Sequence, residues 1–153
     1  MDDVARLRAA LEALEADADQ LDWAAQRPWR VATHVRWEGE LPSLDLHDLN
    51  AKLARRAVDA LMGEAGALQT GAVRVITGRG RRSIGPGVLG DLVRSRIGNR
   101  LEQGWRFHPS GAGAYVLVTD PRKAPRSATG ALSPWFWLGV IAVLALLIYS
   151  LLT

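Results

Sequence analysis

The sequence predicts an α/β fold in which two helices pack on a mixed four-stranded sheet, with one further helix before the sheet and a transmembrane helix after it. Between residues 43 and 119, segments rich in β-branched residues alternate with segments whose apolar residues recur every three or four positions. The resulting order of strand, helix, strand, helix, strand and strand favours a mixed sheet with helices packed against it. The flanking helices follow from a heptad pattern near the N-terminus and an uncharged stretch near the C-terminus.

Each element between residues 43 and 119 has a local signal of its own. Asp48 is a suitable N-cap for the first helix, and Pro86 stands near the first turn of the second helix. A turn at Ser110–Gly113 separates the last two strands. The predicted strands are Leu44–His47, Val73–Thr77, Trp105–His108 and Ala114–Thr119, and the apolar faces of the two predicted helices run from Leu49 to Ala65 and from Val88 to Ile97.

Residues 1–22 predict an amphipathic helix, and residues 23–42 predict a connector. Apolar residues of the helix follow alternating steps of three and four, which is a heptad seam. Such a seam serves either a helix that lies on its own domain or a coiled coil through which the chain self-associates. In the connector, the alternation between Trp29 and Trp37 indicates an added edge strand, which Gly39 and Pro42 end. The seam consists of Val4, Leu7, Leu11, Leu14, Ala18 and Leu21.

Residues 135–152 contain 18 consecutive uncharged residues and predict a single-pass membrane anchor. As a helix they would be about 27 Å long, close to the roughly 30 Å of a hydrocarbon core. The stretch 120–134, with three prolines, predicts a flexible linker, and its basic residues place the folded domain in the cytoplasm. The chain is thus predicted to be tail-anchored. The alternative is a buried core helix, but a domain of this size has little room to enclose a helix that is apolar on all sides.

Composition excludes several kinds of site. The chain has no cysteine, so disulfide frameworks, cysteine-ligated metals and thiol catalysis are excluded. Its three histidines leave little for a multi-histidine metal centre, and no metal-ligating cluster is predicted. His34 and His108 are isolated in the sequence and are interpreted as structural.

Acidic and basic residues are concentrated in different parts of the chain. The net charge is +3, yet residues 1–22 hold two basic and seven acidic side chains, whereas residues 72–126 hold eleven basic and three acidic ones. Most of the basic residues are arginines, whose planar guanidinium suits phosphate. The basic segment, residues 72–126, therefore favours an anionic partner.

The strongest chemical signal is the glycine- and arginine-rich loop from Thr77 to Gly87. Its glycines allow close backbone approach, and it leads into a helix N-terminus, which favours anions. It lacks the Gly-Lys-Ser/Thr ending of a Walker loop and the third glycine of the dinucleotide fingerprint, so phosphodiester binding fits better than a nucleotide cofactor. A solvated turn is the alternative. The predicted nucleic-acid-binding residues are Thr77, Gly78, Arg79, Gly80, Arg81, Arg82 and Ser83.

Asp45 and His47 form a second constellation at the end of a predicted strand. Two residues apart in a strand, they project from the same face. His47 could take a proton from water or a ribose hydroxyl, or give one to a leaving oxygen. Asp45 could orient that imidazole or help to hold a divalent ion, so Mg²⁺ or Mn²⁺ stays open as a cofactor. A structural histidine that bonds a neighbouring loop is the alternative.

Together these motifs resemble the Smr (small MutS-related) domain over about residues 43–119. Leu44–His47 resembles its Leu-Asp-Leu-His-Gly motif, and Thr77–Gly80 resembles its Thr-Gly-Lys/Arg-Gly motif. Gly85–Leu89 resembles the stretch that opens the second helix of the family, and Ser110–Ala114 resembles its late glycine-rich turn. Four motifs in the right order and at compatible spacing make the resemblance specific.

The resemblance implies a two-layer α/β sandwich that binds nucleic acid, in a family with several endonucleases. It also implies a role in cleavage for Asp45 and His47, and a role in nucleic-acid binding for the Thr77–Gly80 loop. Three residues depart from the family pattern. Asp48 replaces a glycine, Arg82 stands where many members carry histidine, and Ser110 replaces a glycine.

The sequence thus predicts a membrane-tethered Smr-like protein that binds RNA or DNA, with endonuclease activity as an open question. His47 would be the acid/base residue, and Asp45 would orient it. The alternative is a noncatalytic, membrane-anchored adaptor that recruits a partner through its N-terminal seam. A weaker alternative is that the basic loop binds anionic lipid headgroups.

Overall fold

The computed structural model describes residues 2–21, 28–78, 88–125 and 128. From residue 41 to residue 118 the order is strand, helix, strand, helix, strand and strand, as the periodicity of residues 43–119 predicts. A short 3₁₀ turn, Ala65–Ala67, follows the third helix. The elements are α1 (Asp3–Leu21), α2 (Val31–His34), β1 (Val35–Glu38), β2 (Leu41–Asp45), α3 (Ala51–Glu64), β3 (Ala72–Ile76), α4 (Val88–Leu101), β4 (Arg106–Pro109) and β5 (Ala114–Val118).

The strands form one mixed sheet with the order β1-β2-β3-β5-β4. Only β2 and β3 pair in parallel; the other neighbours are antiparallel. The parallel pair is joined through α3, and its register places Asp45 opposite Ile76. The carboxyl ends of β2 and β3 therefore lie side by side at one edge of the sheet.

The main apolar core unites the helices with one side of the sheet. Its strand residues come from one face of the sheet, because side chains alternate across a sheet. A smaller cluster on the other side includes Ala72 and Val116, and the segment after β5 packs on it through Ala124 and Ala128. The main core includes Leu44, Val73, Val75 and Leu117 of the sheet and Leu11, Leu53, Leu61 and Ile97 of the helices.

The heptad seam of α1 is used inside the domain. Five of its six residues, from Val4 to Ala18, are buried in the main core, where α1 packs against α3. This arrangement is the first of the two predicted interpretations, a helix that lies on its own domain. Self-association through the seam is not supported, because these apolar side chains are already covered.

The sheet has five described strands, one more than the four predicted for residues 43–119. The added strand is β1, the outermost strand beside β2, and it is the edge strand that the connector was predicted to supply. It begins only at Val35, because residues 31–34 form a helical turn. Gly39 adopts φ 63° in the tight turn that follows β1. Pro42, predicted to end a strand, lies inside β2 and pairs with Trp37.

Two local predictions at the end of β2 were also wrong. The strand ends at Asp45, so His47 lies in the following turn and not in the strand. The N-cap of α3 is Asn50, whose side-chain oxygen accepts a hydrogen bond from Leu53 N at 3.0 Å. Asp48 therefore does not cap α3, and its carboxylate lies beside His34 and His47.

The part of the chain that the structure describes contains no helix long and apolar enough to cross a membrane. The predicted anchor, residues 135–152, lies outside the described residues, as does most of the linker before it. Residues 79–87 of the arginine-rich loop also lie outside them.

Asp3 fastens the start of α1 to the turn before β3. Its carboxylate accepts hydrogen bonds from Gln69 N, Thr70 N and Thr70 Oγ1, each at 2.8 Å, and the residue is buried. Burial alone would raise the pKa of Asp3, but these three hydrogen bonds and the charge of Arg6 together hold it below the ordinary 3.8. The ionised form is thus stabilised by folding.

We expect Asp3→Asn to lower the free energy of unfolding by about 1–3 kcal/mol near neutral pH, because the amide presents donors to the backbone N–H groups. Because the folded-state pKa of Asp3 is lowered, its contribution is present above 3.8 and is lost as the pH falls through the folded-state pKa. The difference between wild type and variant should therefore shrink under acid, measured by urea unfolding from pH 7 downwards.

Asp59→Asn, at an exposed pair with Arg96, is the control and should change the free energy of unfolding by less than about 0.5 kcal/mol. A difference that stays constant down to acid would contradict this role of Asp3.

Candidate functional site

The parallel pairing of β2 and β3 brings the two predicted motifs together. Leu46 N donates to the Ile76 carbonyl at 2.8 Å, and Thr77 N donates to the Gly113 carbonyl at 2.8 Å, so the ladder continues past both strand ends. Gly78 follows with φ 77°, a left-handed conformation that favours glycine. A Cβ built on Gly78 would lie 3.1 Å from Cβ of His47. The start of the arginine-rich loop is therefore in direct contact with the predicted catalytic histidine.

Asp45 and His47 form a hydrogen-bonded pair. One oxygen of Asp45, Oδ1, lies 2.6 Å from Nδ1 of His47 and accepts a further bond from His47 N at 3.1 Å. The Asp45 side chain is only 9% exposed, whereas that of His47 is 46% exposed. A buried carboxylate thus orients an imidazole that is open to solvent, and it favours the tautomer with the proton on Nδ1.

Trp29 helps to fix the backbone position of Asp45 in this pair. Its indole Nε1 donates to the Asp45 carbonyl at 2.9 Å, and the residue is buried. The connector before β1 therefore holds the end of β2 in place, although it precedes the sequence motif.

Two residues that were not predicted as site residues complete the cluster. Asp48 Oδ2 lies 3.0 Å from Nε2 of His47 and 3.3 Å from Nε2 of His34. The His34 ring lies between Trp29 and His47, with centroid distances of 5.4 and 5.8 Å. His34 is isolated in the sequence, but the turn of α2 brings it to the site. Its interpretation as a structural residue stays a prediction. No sequence signal links His34 to His47, because the contact depends on the folding of the connector.

The structure brings together four of the nine predicted site residues. Asp45, His47, Thr77 and Gly78 lie at one edge of the sheet, as described above. The remaining five fall outside the described residues: Arg79, Gly80, Arg81, Arg82 and Ser83. His108 lies on β4, which two strands separate from β2, and so stays apart from this cluster.

The arginines of α4 are exposed, and two of them have partners within the domain. Arg96 pairs with Asp59 at 3.1 Å. Arg100 donates to Gln103 Oε1 at 2.9 Å, and its guanidinium lies 5.5 Å from the ring centroid of Trp105. These contacts favour a solvated helix face over an extension of the phosphate-binding surface.

Within the described residues, this cluster has donor atoms that are placed to hold a cation. His34, His47 and Asp48 each offer one nitrogen or oxygen, and the three atoms lie within 4.8 Å of one another. Asp45 is not one of these three residues, and its Oδ1 lies 2.6 Å from Nδ1 of His47.

The fold and the cluster at the ends of β2 and β3 define an α/β domain with a histidine site at the edge of its sheet. In comparison with protein families, residues 44–117, just under half of the chain, match the family model described as the Smr domain. The resemblance in the motifs is thereby confirmed over this stretch, and it points to nucleic-acid binding or a nuclease-related function. Comparisons with curated proteins and with solved structures gave no significant match.

Proposed function

We propose that this protein binds RNA or DNA at the edge of the sheet where β2 and β3 end, and that His47 acts as an acid/base residue on the phosphodiester. The single observation that supports this is the contact between Gly78 and His47. It joins the loop that carries Arg79, Arg81 and Arg82 to the hydrogen-bonded pair of Asp45 and His47. A strand held by the loop would pass next to the imidazole.

The chemistry follows from the two nitrogens of His47. With Nδ1–H donated to Asp45, Nε2 has a free lone pair that can accept a proton from water or from a ribose hydroxyl. The carboxylate stabilises the imidazolium that results, and this imidazolium can then give its proton to the leaving oxygen. Arginines of the loop would hold the phosphate by charge-assisted hydrogen bonds.

Asp48 restrains this chemistry. Its carboxylate lies 3.0 Å from Nε2 of His47, the atom that must reach the substrate, and its charge repels phosphate. In the family the residue after the histidine is usually glycine, so this chain carries an added acid at the centre of the site. Binding is therefore better supported than cleavage, and cleavage requires Asp48 to release Nε2.

We also propose that residues 135–152 anchor the domain to a membrane, on their length and lack of charge alone. The adaptor hypothesis has lost its main support, because the seam of α1 is buried within the domain.

Binding is tested with the full chain, purified in a mild detergent. Replacing Arg79, Arg81 and Arg82 together by alanine should weaken binding to single-stranded RNA or DNA. Fluorescence anisotropy over a range of salt concentrations measures the effect. Each phosphate contact contributes about −0.7 to the slope of log K against log salt for single strands, so the variant should lose a slope of about 2.

The matched control removes the same charge at the other end of the sheet. In this control, Arg106, Arg122 and Lys123 are replaced by alanine. Arg106 pairs with Val118 at the end of β5. The segment that contains Arg122 and Lys123 lies close to Gly71, just before the start of β3. This control should keep most of its affinity and its salt slope. Equal losses in both triple variants would show that binding follows total charge and not this edge of the sheet.

A separate prediction concerns cleavage. If the wild type cuts labelled RNA or DNA, His47→Ala should lower the rate by about 10²–10⁴, the usual contribution of acid/base catalysis, and leave affinity within about twofold. His108→Ala is the control and should keep the wild-type rate. Incubations with and without Mg²⁺ or Mn²⁺ resolve the cofactor. An unchanged rate in His47→Ala would exclude His47 as the catalyst.

A further inference from the structure

We propose that His34, His47 and Asp48 bind a divalent transition-metal ion, with Zn²⁺ as the best-suited ion. The proposal goes beyond the proposed function and does not rest on it. It follows from donor atoms that converge from two parts of the chain: His34 ends α2 in the connector, outside the stretch that matches the Smr domain, whereas His47 and Asp48 lie in the turn after β2.

The distances suit one small cation. Asp48 Oδ2 lies 3.0 Å from Nε2 of His47 and 3.3 Å from Nε2 of His34, and all three donor atoms lie within 4.8 Å of one another. A tetrahedral zinc ion, about 2.0–2.1 Å from each ligand, holds its donors roughly 3.3 Å apart. The two contacts of Asp48 already match this spacing. The two Nε2 atoms lie within the same 4.8 Å limit, and the side chain of His47 is partly exposed.

The outer partners of both histidines are those of metal ligands. A ligating imidazole almost always donates its other N–H to a carboxylate, a backbone carbonyl or water. Nδ1 of His47 lies 2.6 Å from Asp45 Oδ1, which is a carboxylate. Nδ1 of His34 lies 2.9 Å from both the Arg30 carbonyl and Thr33 Oγ1, and Arg30 N donates to it at 3.2 Å. The ring of His47 is thus set to present the lone pair of Nε2, and the ring of His34 does so in the tautomer with its proton on Nδ1.

Asp48 Oδ2 is shared between the two imidazoles. It lies within hydrogen-bond distance of Nε2 of His34 and 3.0 Å from Nε2 of His47. When both Nδ1 atoms carry their protons, the two Nε2 lone pairs and this oxygen converge, and one divalent cation can bind all three.

The donor set selects the metal. Two imidazoles and one carboxylate suit zinc and its neighbours in the first transition row, whereas Mg²⁺ prefers oxygen ligands and keeps its waters. The His47 side chain is 46% exposed and that of His34 is 11% exposed, so water can reach one side of the ion and complete its coordination. A bound ion would occupy Nε2 of His47, so metal binding and use of that nitrogen as a base exclude each other.

The test is calorimetric titration of ZnCl₂ into the full chain after treatment with EDTA, without nucleic acid. The wild type should bind one equivalent, and a large excess of Mg²⁺ should not displace it. Loss of a second-shell partner alone costs metal sites about 10–100-fold in affinity, so Asp48→Asn and His34→Ala should each weaken binding by at least about tenfold. Asp48→Asn keeps the shape of the side chain and decides the question if His34→Ala fails to fold.

His108→Ala is the matched control, since it removes an imidazole from β4 and should leave the affinity unchanged. Co²⁺ offers a second readout, because its visible spectrum should show nitrogen and oxygen coordination in the wild type and lose it in Asp48→Asn. No uptake by the wild type, or equal affinity in the wild type and Asp48→Asn, would overturn the proposal. Since no nucleic acid is present, its failure leaves the proposed function standing, and the reverse also holds.

Discussion

The parallel pairing of β2 with β3 is the constraint on which the site depends. Its register, with Asp45 opposite Ile76, places the ends of two strands that are distant in the sequence next to each other. A shift by one residue would turn Asp45 towards the helices and Leu44 away from the core, so the buried apolar face enforces the register. Gly78, the hydrogen bond from Leu46 N to the Ile76 carbonyl and the bond from Trp29 to Asp45 O then fix the backbone around His47.

Much of the fold could be predicted from periodicity, because strands and helices expose different repeats. The bounds of β3, β5 and the two central helices lie within a few residues of the prediction, and the late turn lies where Ser110–Gly113 predicts it. The failures occur where tertiary packing overrides a local signal. Gly39 and Pro42 are both chain breakers in isolation, yet one forms a tight turn and the other lies within a paired strand. The alternation between Trp29 and Trp37 is typical of a strand, but a helical turn intervenes and buries Trp29 behind Asp45.

The candidate site also contains residues that could be predicted from the sequence and residues that could not. Asp45 and His47 are close in sequence and could be predicted as a pair, and their contact with Gly78 follows from strands that end at one edge. His34 could not be predicted, because it reaches Asp48 only through the turn of α2 and the packing of the connector. Asp48 was predicted as a helix cap from its place before a helix, whereas Asn50 takes that role and leaves Asp48 between two imidazoles. A chain with only three histidines thus assembles two of them around one carboxylate.

The central claim is that nucleic acid contacts the edge where β2 and β3 end. Nuclear magnetic resonance tests it most directly, through the shifts of backbone amides and histidine ring signals while single-stranded RNA or DNA is added to the full chain. The account predicts that the largest changes among the residues described here occur at Gly78, His47 and Asp48. It also predicts that His108 on β4 stays unchanged. Changes confined to β1, β4 or the face of α4, with Gly78 and His47 unaffected, would contradict it.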